Sequence, residues 1–166
     1  MAEPFKTWFN RDLVADMAAH LKRRWGGFDD AGFTVLALRN FDRLELKQRS
    51  DQIATALVEH LPADVARALK LVRAVLRPLD RQGQPVTDTT KGLAGWAIWP
   101  LGEYVARAGI DHPDQSLAVL RALTIRSTAE FAIRPFLLRH PRKTLAALKV
   151  WTKDKNEHVH PLVDQI

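Results

Sequence analysis

The chain contains no cysteine in its 166 residues. That removes disulfides, thiol nucleophiles and thiolate metal sites together, and it fits a reducing, cytoplasmic setting. No apolar run approaches the roughly 20 residues that cross a bilayer, so no membrane partner is expected. The opening Met-Ala-Glu-Pro-Phe-Lys has no signal-peptide core, which argues against export. No segment alternates apolar and polar residues with flanking turn signals, so no strands are expected. Walker loops, dinucleotide-binding glycine fingerprints and the Gly-x-Ser-x-Gly elbow are all missing, so no cofactor is implied. His112, His140, His158 and His160 lack metal-ligand spacing, and no metal is expected.

The chain does carry recurring helical periodicity. Its length fits one domain with a proper core, and its apolar share of 46% is ordinary. Asn10 reads as an N-cap, followed by Leu13, Met17, Leu21 and Trp25 stepping along one face. Gly26 and Gly27 end that helix. Asp29 and Asp30 open a second, with Phe33, Leu36, Ala37, Phe41 and Leu44 inward. Leu46, Ile53, Leu57 and Leu61 mark a third. Pro62 sits where a first helical turn tolerates proline, and Val65, Ala68, Leu69, Val72 and Leu76 mark a fourth. Residues 78–92 are rich in Pro, Gly and Thr and read as a loop. Helical patterns resume over about 93–108, 114–126, 128–139 and 142–152, with a stub from Asn156. Short helices joined by short connections predict an all-α fold of stacked antiparallel helix pairs. The domain is expected to span 1–166, with the loop at 78–92 between two sub-arrays. On periodicity alone a compact helical bundle is the equal alternative.

Net charge is +6, and it is uneven. Residues 134–166 carry seven Lys/Arg against three Asp/Glu, whereas the first 133 carry eighteen against sixteen. A local basic surplus attracts polyanions, nucleic acid first; the plain alternative is a solvated charged face. Arg67, Lys70, Arg73 and Arg77 step along the fourth helix opposite its apolar stripe. With Arg142, Lys143 and Lys149 they are candidate phosphate contacts. No helix reads as a major-groove recognition helix.

The chemistry concentrates in Gly95-Trp-Ala-Ile-Trp-Pro-Leu-Gly-Glu103. Trp96, Trp99 and Glu103 fall at i, i+3 and i+7 and share a helical face. Indole faces beside a carboxylate suit a flat cation, and a carboxylate also stabilises an oxocarbenium-like centre if a sugar–base bond is the target. Two core indoles beside a surface glutamate is the bland alternative, and the commoner one. Glu130 is a second candidate carboxylate. With Arg134 it forms an i, i+4 pair inside an apolar stretch, capped by Ser127 or Thr128.

Several stretches together resemble a known family: Met1-Ala-Glu-Pro-Phe-Lys-x-Trp-Phe-Asn10, Leu44-Glu-Leu-Lys-Gln-Arg49, His60-Leu-Pro-Ala-Asp64, Gly95–Ala106, Thr128–Leu137 and Asn156-Glu-His-Val159. In this order they are similar to the AlkC branch of bacterial DNA alkylation-repair proteins. The resemblance implies a HEAT-like superhelix that cups duplex DNA, and a glycosylase that removes cationic N3-alkylated bases such as 3-methyladenine. It also implies that the sequence corresponds to the N-terminal portion, because family members continue into further repeats. A catalytically inactive DNA-binding or protein-binding remnant is the alternative. An uncovered final repeat would favour self-association.

Overall fold

A computed structural model describes residues 5–127 and 129–153. The expected stub at Asn156, His158, His160 and the Thr128 cap lie outside the described residues. Eight α-helices form, and no strand occurs among the described residues: α1 Arg11–Arg24, α2 Asp30–Ala37, α3 Leu46–His60, α4 Val65–Ala74, α5 Ile98–Ala108, α6 Pro113–Thr124, α7 Glu130–Arg139 and α8 Pro141–Trp151. None of them is long and apolar enough to cross a membrane.

Local chemistry sets most of the starts. The side chains of Asn10, Asp29 and Asp64 accept hydrogen bonds from the backbone N–H groups of Leu13, Gly32 and Arg67, satisfying first-turn donors of α1, α2 and α4. Glu45 and Gln48 form a reciprocal capping box at α3. Pro113 and Pro141 open α6 and α8, where a missing N–H costs nothing. Pro62, expected in a first helical turn, lies instead in the turn ahead of Asp64, because the aspartate supplies the cap. α2 ends at Ala37 rather than running on to Leu44. Asn40 takes the left-handed conformation at φ 53°, and Phe41 reaches the core from a short 3-10 turn.

The helices stack in two rows. One row runs α1, α4, α6, α8 and the other runs α2, α3, α5, α7, each helix packing on the next in its row. The hairpins α5–α6 and α7–α8 tie the rows together. Equivalent positions of successive hairpins are bonded: Gln115 to the Ala66 carbonyl at 2.8 Å, Arg139 to Asp111 at 3.1 Å, and Lys143 to Asp114 at 3.0 Å. His140 donates from Nε2 to the Ile110 carbonyl. These links hold neighbouring pairs in register, the arrangement of a helical-repeat array. The core runs between the rows and includes Met17, Phe28, Phe33, Leu57, Leu69, Tyr104, Leu120 and Phe136. Burial pushes the Tyr104 phenol up to about 12. At the last hairpin the outward face leaves Leu138, Leu145 and Val150 exposed, at 87%, 57% and 68%.

The loop between α4 and α5 is pinned along its length. Arg77 donates its backbone N–H to the Leu93 carbonyl at 2.9 Å, and Leu93 donates to Val75 at 2.8 Å. A β-carbon on Gly92 would fall 2.6 Å from the Arg77 nitrogen, so only glycine allows this close pass. The Asp80 side chain closes the loop tip by accepting from Gln82 and Gln84 at 2.9 Å.

Candidate functional site

The loop delivers the chain to α5 through Gly95, whose φ of +65° suits a residue without a β-carbon. Its N–H donates to the Arg126 carbonyl at 3.2 Å. A 3-10 turn over Gly95–Ala97 then leads directly into α5. Trp96 therefore sits in the turn and Trp99 and Glu103 in the helix, yet all three face one hollow.

That hollow has a volume of about 240 Å³ and lies between the starts of α5 and α7. Trp96, Trp99, Gly102, Glu103, Phe131 and Ala132 are among its lining residues. Trp96 and Trp99 are stacked with centroids 6.0 Å apart and planes inclined by 22°. Trp99 and Phe131 are stacked at 5.9 Å with planes nearly parallel, at 6°. Among the described residues Glu103 is the lining carboxylate, with its side chain 28% exposed. Its Oε2 lies 3.6 Å from Nε of Arg107, which also reaches Asp51 at 3.5 Å and the Thr55 hydroxyl at 3.0 Å. An apolar, ring-lined cavity with an anionic wall has the shape and charge that suit a flat organic cation.

Glu130 begins α7, half-buried, and does not line the hollow. As a first-turn carboxylate it complements the positive end of the helix. The expected Glu130–Arg134 pair does not form among the described residues; the Arg134 guanidinium lies 5.5 Å from the Phe131 ring centroid instead. Among the described residues no side chain caps α7, whose N-cap residue is Ala129. Phe131 is an aromatic wall of the site that helical spacing around Trp96 does not reveal, because it arrives from the next hairpin.

The candidate phosphate contacts fall in the other row. Arg67, Lys70 and Arg73 lie on α4, and Arg142, Lys143 and Lys149 are exposed on α8, with α6 between the two helices. Arg67 stands 5.5 Å from the Trp25 ring centroid, and Lys143 is already paired with Asp114. The link between this row and the hollow is Arg126. Its guanidinium donates to the carbonyls of Arg77 at 2.8 Å and Ala122 at 2.6 Å, and burial, then the nearby Arg73, lowers its pKa. Nothing in the sequence marks Arg126, whose partners are carbonyls and so leave no charge pattern.

Two rows of stacked helix pairs, with an aromatic and acidic hollow opening between successive pairs, define an all-helical, HEAT-like repeat protein. No family model matches the chain. The chain is 32% identical over 164 residues to the uncharacterized protein YhaZ of Bacillus subtilis, covering 96% of itself and 41% of that protein. It superposes with a TM-score of 0.80 and 30% identity on the Pseudomonas fluorescens alkylpurine DNA glycosylase AlkC bound to DNA containing an abasic site analog. That match covers 97% of this chain and 41% of the AlkC chain. The resemblance to AlkC-type DNA alkylation-repair proteins thus holds in sequence and in structure, over less than half the length of either relative.

Proposed function

We propose that this chain acts in DNA alkylation repair, excising cationic N3-alkylated bases such as 3-methyladenine from duplex DNA. The observation that carries the reading is the hollow: three aromatic rings and the Glu103 carboxylate meet on one surface of a fold similar to AlkC. The faces of Trp96, Trp99 and Phe131 attract a positively charged base. As the sugar–base bond breaks, its electron pair leaves with the base and discharges it, and positive charge develops on the sugar. Glu103 stabilises that charge. Water then adds to the sugar carbon and loses its proton to a carboxylate, for which Glu103, the carboxylate lining the hollow, is the candidate. The cations of α4 and α8 contact backbone phosphates and set the salt dependence of binding.

The test is release of free 3-methyladenine from methylated duplex by the purified chain. Release above the buffer rate supports the reading, and none at high protein excess removes the enzymatic part. The second reading, DNA binding without excision, is favoured by the contact of the lining carboxylate Glu103 with Arg107 at 3.6 Å, which leaves it already partnered by a cation. It predicts salt-sensitive duplex binding with no base released, and binding indifferent to salt counts against it.

A further inference from the structure

Three stretches distant in sequence meet at one place. Residues 5–8 form a 3-10 turn that packs on α3. Arg49, on α3 and only 6% exposed, holds this amino-terminal strap. One of its terminal nitrogens donates to the Lys6 carbonyl at 3.0 Å and the Phe9 carbonyl at 2.8 Å, and its Nε donates to the Leu44 carbonyl at 3.2 Å. Its guanidinium also lies 4.2 Å from the Phe41 ring centroid. Lys6 and Glu45 approach to 3.8 Å across the same junction.

What the strap presents to the start of α5 is aromatic. Trp8 stacks on Trp96 with centroids 4.2 Å apart and planes inclined by 28°. Phe9, fully buried, sets its edge against Trp96 at 5.7 Å and against Trp99 at 5.8 Å. Neither residue lines the hollow, but both contact the rings that do. A buried cation whose partners are backbone carbonyls is a costly way to fix a surface turn, since removing a partner leaves a desolvated charge. Here it fixes the back of the site.

We propose that Arg49 and Trp8 are positioning residues of the aromatic hollow: Arg49 fastens the strap, and the strap sets the orientation of Trp96 and Trp99 for a flat cationic guest. This rests on the reading of the hollow as the site for a cationic base. Stacking contacts fix ring tilt as well as ring location, and offset and edge-on packing of this kind is directional. The amino-terminal turn therefore backs a site whose lining comes from residues far along the chain.

The experiment compares the full chain with Arg49→Met, Arg49→Lys and Trp8→Ala. The first readout is near-ultraviolet circular dichroism, which Arg49→Met leaves with all five tryptophans present. The second is quenching of indole fluorescence by N-methylquinolinium, a flat cation used as the probe. Arg49→Met is expected to lose the stacked-indole signal and bind the probe at least fivefold more weakly, with far-ultraviolet helix content retained. Arg49→Lys recovers part of both. Trp8→Ala, at a half-exposed position that does not threaten folding, weakens the probe at least threefold. Unchanged probe affinity in Trp8→Ala, or an unchanged indole signal in Arg49→Met, overturns the proposal. Excision of methylated duplex is measured separately. Loss of probe binding in the variants of a chain that excises nothing upholds the positioning role and removes the glycosylase reading. Excision by all variants at the parental rate with unaltered spectra does the reverse.

Discussion

The two rows of helices divide the labour. The row of α3, α5 and α7 carries the hollow, where rings stack on rings and the carboxylate is held by a neighbouring guanidinium. The row of α4, α6 and α8 carries solvated cations, some already committed to Asp114 or to an indole face. Preorganised rings give a site its shape, whereas long solvated cations adapt to a backbone without specifying it. On the proposed reading, recognition and attraction lie on different helices, joined through Arg126 and the pinned loop ahead of α5.

The sharpest way to break this division is at the carboxylate. Glu103→Gln is expected to lower excision at least 100-fold while duplex affinity stays within twofold. Single-turnover release and a binding isotherm on the same preparation read both, and undiminished excision removes Glu103 from the chemistry. On the other row, Arg142→Ala combined with Lys143→Ala is expected to weaken binding to every duplex alike. The dependence of log K on log salt flattens by about 0.9 for each phosphate no longer neutralised. Because Lys143 is paired with Asp114, Arg142→Ala alone carries most of that change. An unchanged affinity places the phosphates elsewhere.

The join between the rows is open to a stability test. Gly92→Ala drives a β-carbon into backbone at 2.6 Å, and overpacking of this kind costs about 1–3 kcal/mol. A denaturant midpoint below the parent's is expected, and an equal midpoint shows that the loop can move aside. The smallest effect concerns pH. His20 is buried beside Asp16, and burial outweighs that carboxylate, while Arg23, Arg24 and Arg77 also disfavour its charged form, so its pKa is lowered from 6.5. The unfolded chain then takes up the proton first as pH falls through 6.5. The His20 contribution to stability is complete above that pH and is lost toward the lowered folded value. Thermal midpoints between pH 7.5 and 5.5 are expected to fall less in His20→Gln than in the parent; parallel curves exclude His20 as the cause.

Much of this architecture is legible in the chain. The caps at Asn10, Asp29 and Asp64 and the apolar steps of each helix depend on neighbours within a turn or two, and periodicity reports such neighbours directly. Trp96, Trp99 and Glu103 are legible as a set for the same reason. Phe131 is not, because its place beside Trp99 depends on how α7 stacks on α5. The Glu130–Arg134 pair fails for a related reason: the Phe131 ring, set in place by tertiary packing, offers Arg134 another partner. Exposure of the basic residues follows from helical spacing, but their assignment to one row depends on the chain crossing back between α4 and α5. The convergence of residues 5–10 with Arg49 and Trp96 is likewise a product of topology, although the family resemblance already groups these stretches in sequence.

Arg107 stands between two acids, Glu103 at 3.6 Å and Asp51 at 3.5 Å. The lining carboxylate therefore meets an arriving positive guest with its counter-ion already beside it. If a cationic guest binds at Glu103 as proposed, the guanidinium retains its contact with Asp51 at 3.5 Å. On the proposed reading one cation replaces another at Glu103, and the recess exposes no bare anion either empty or filled.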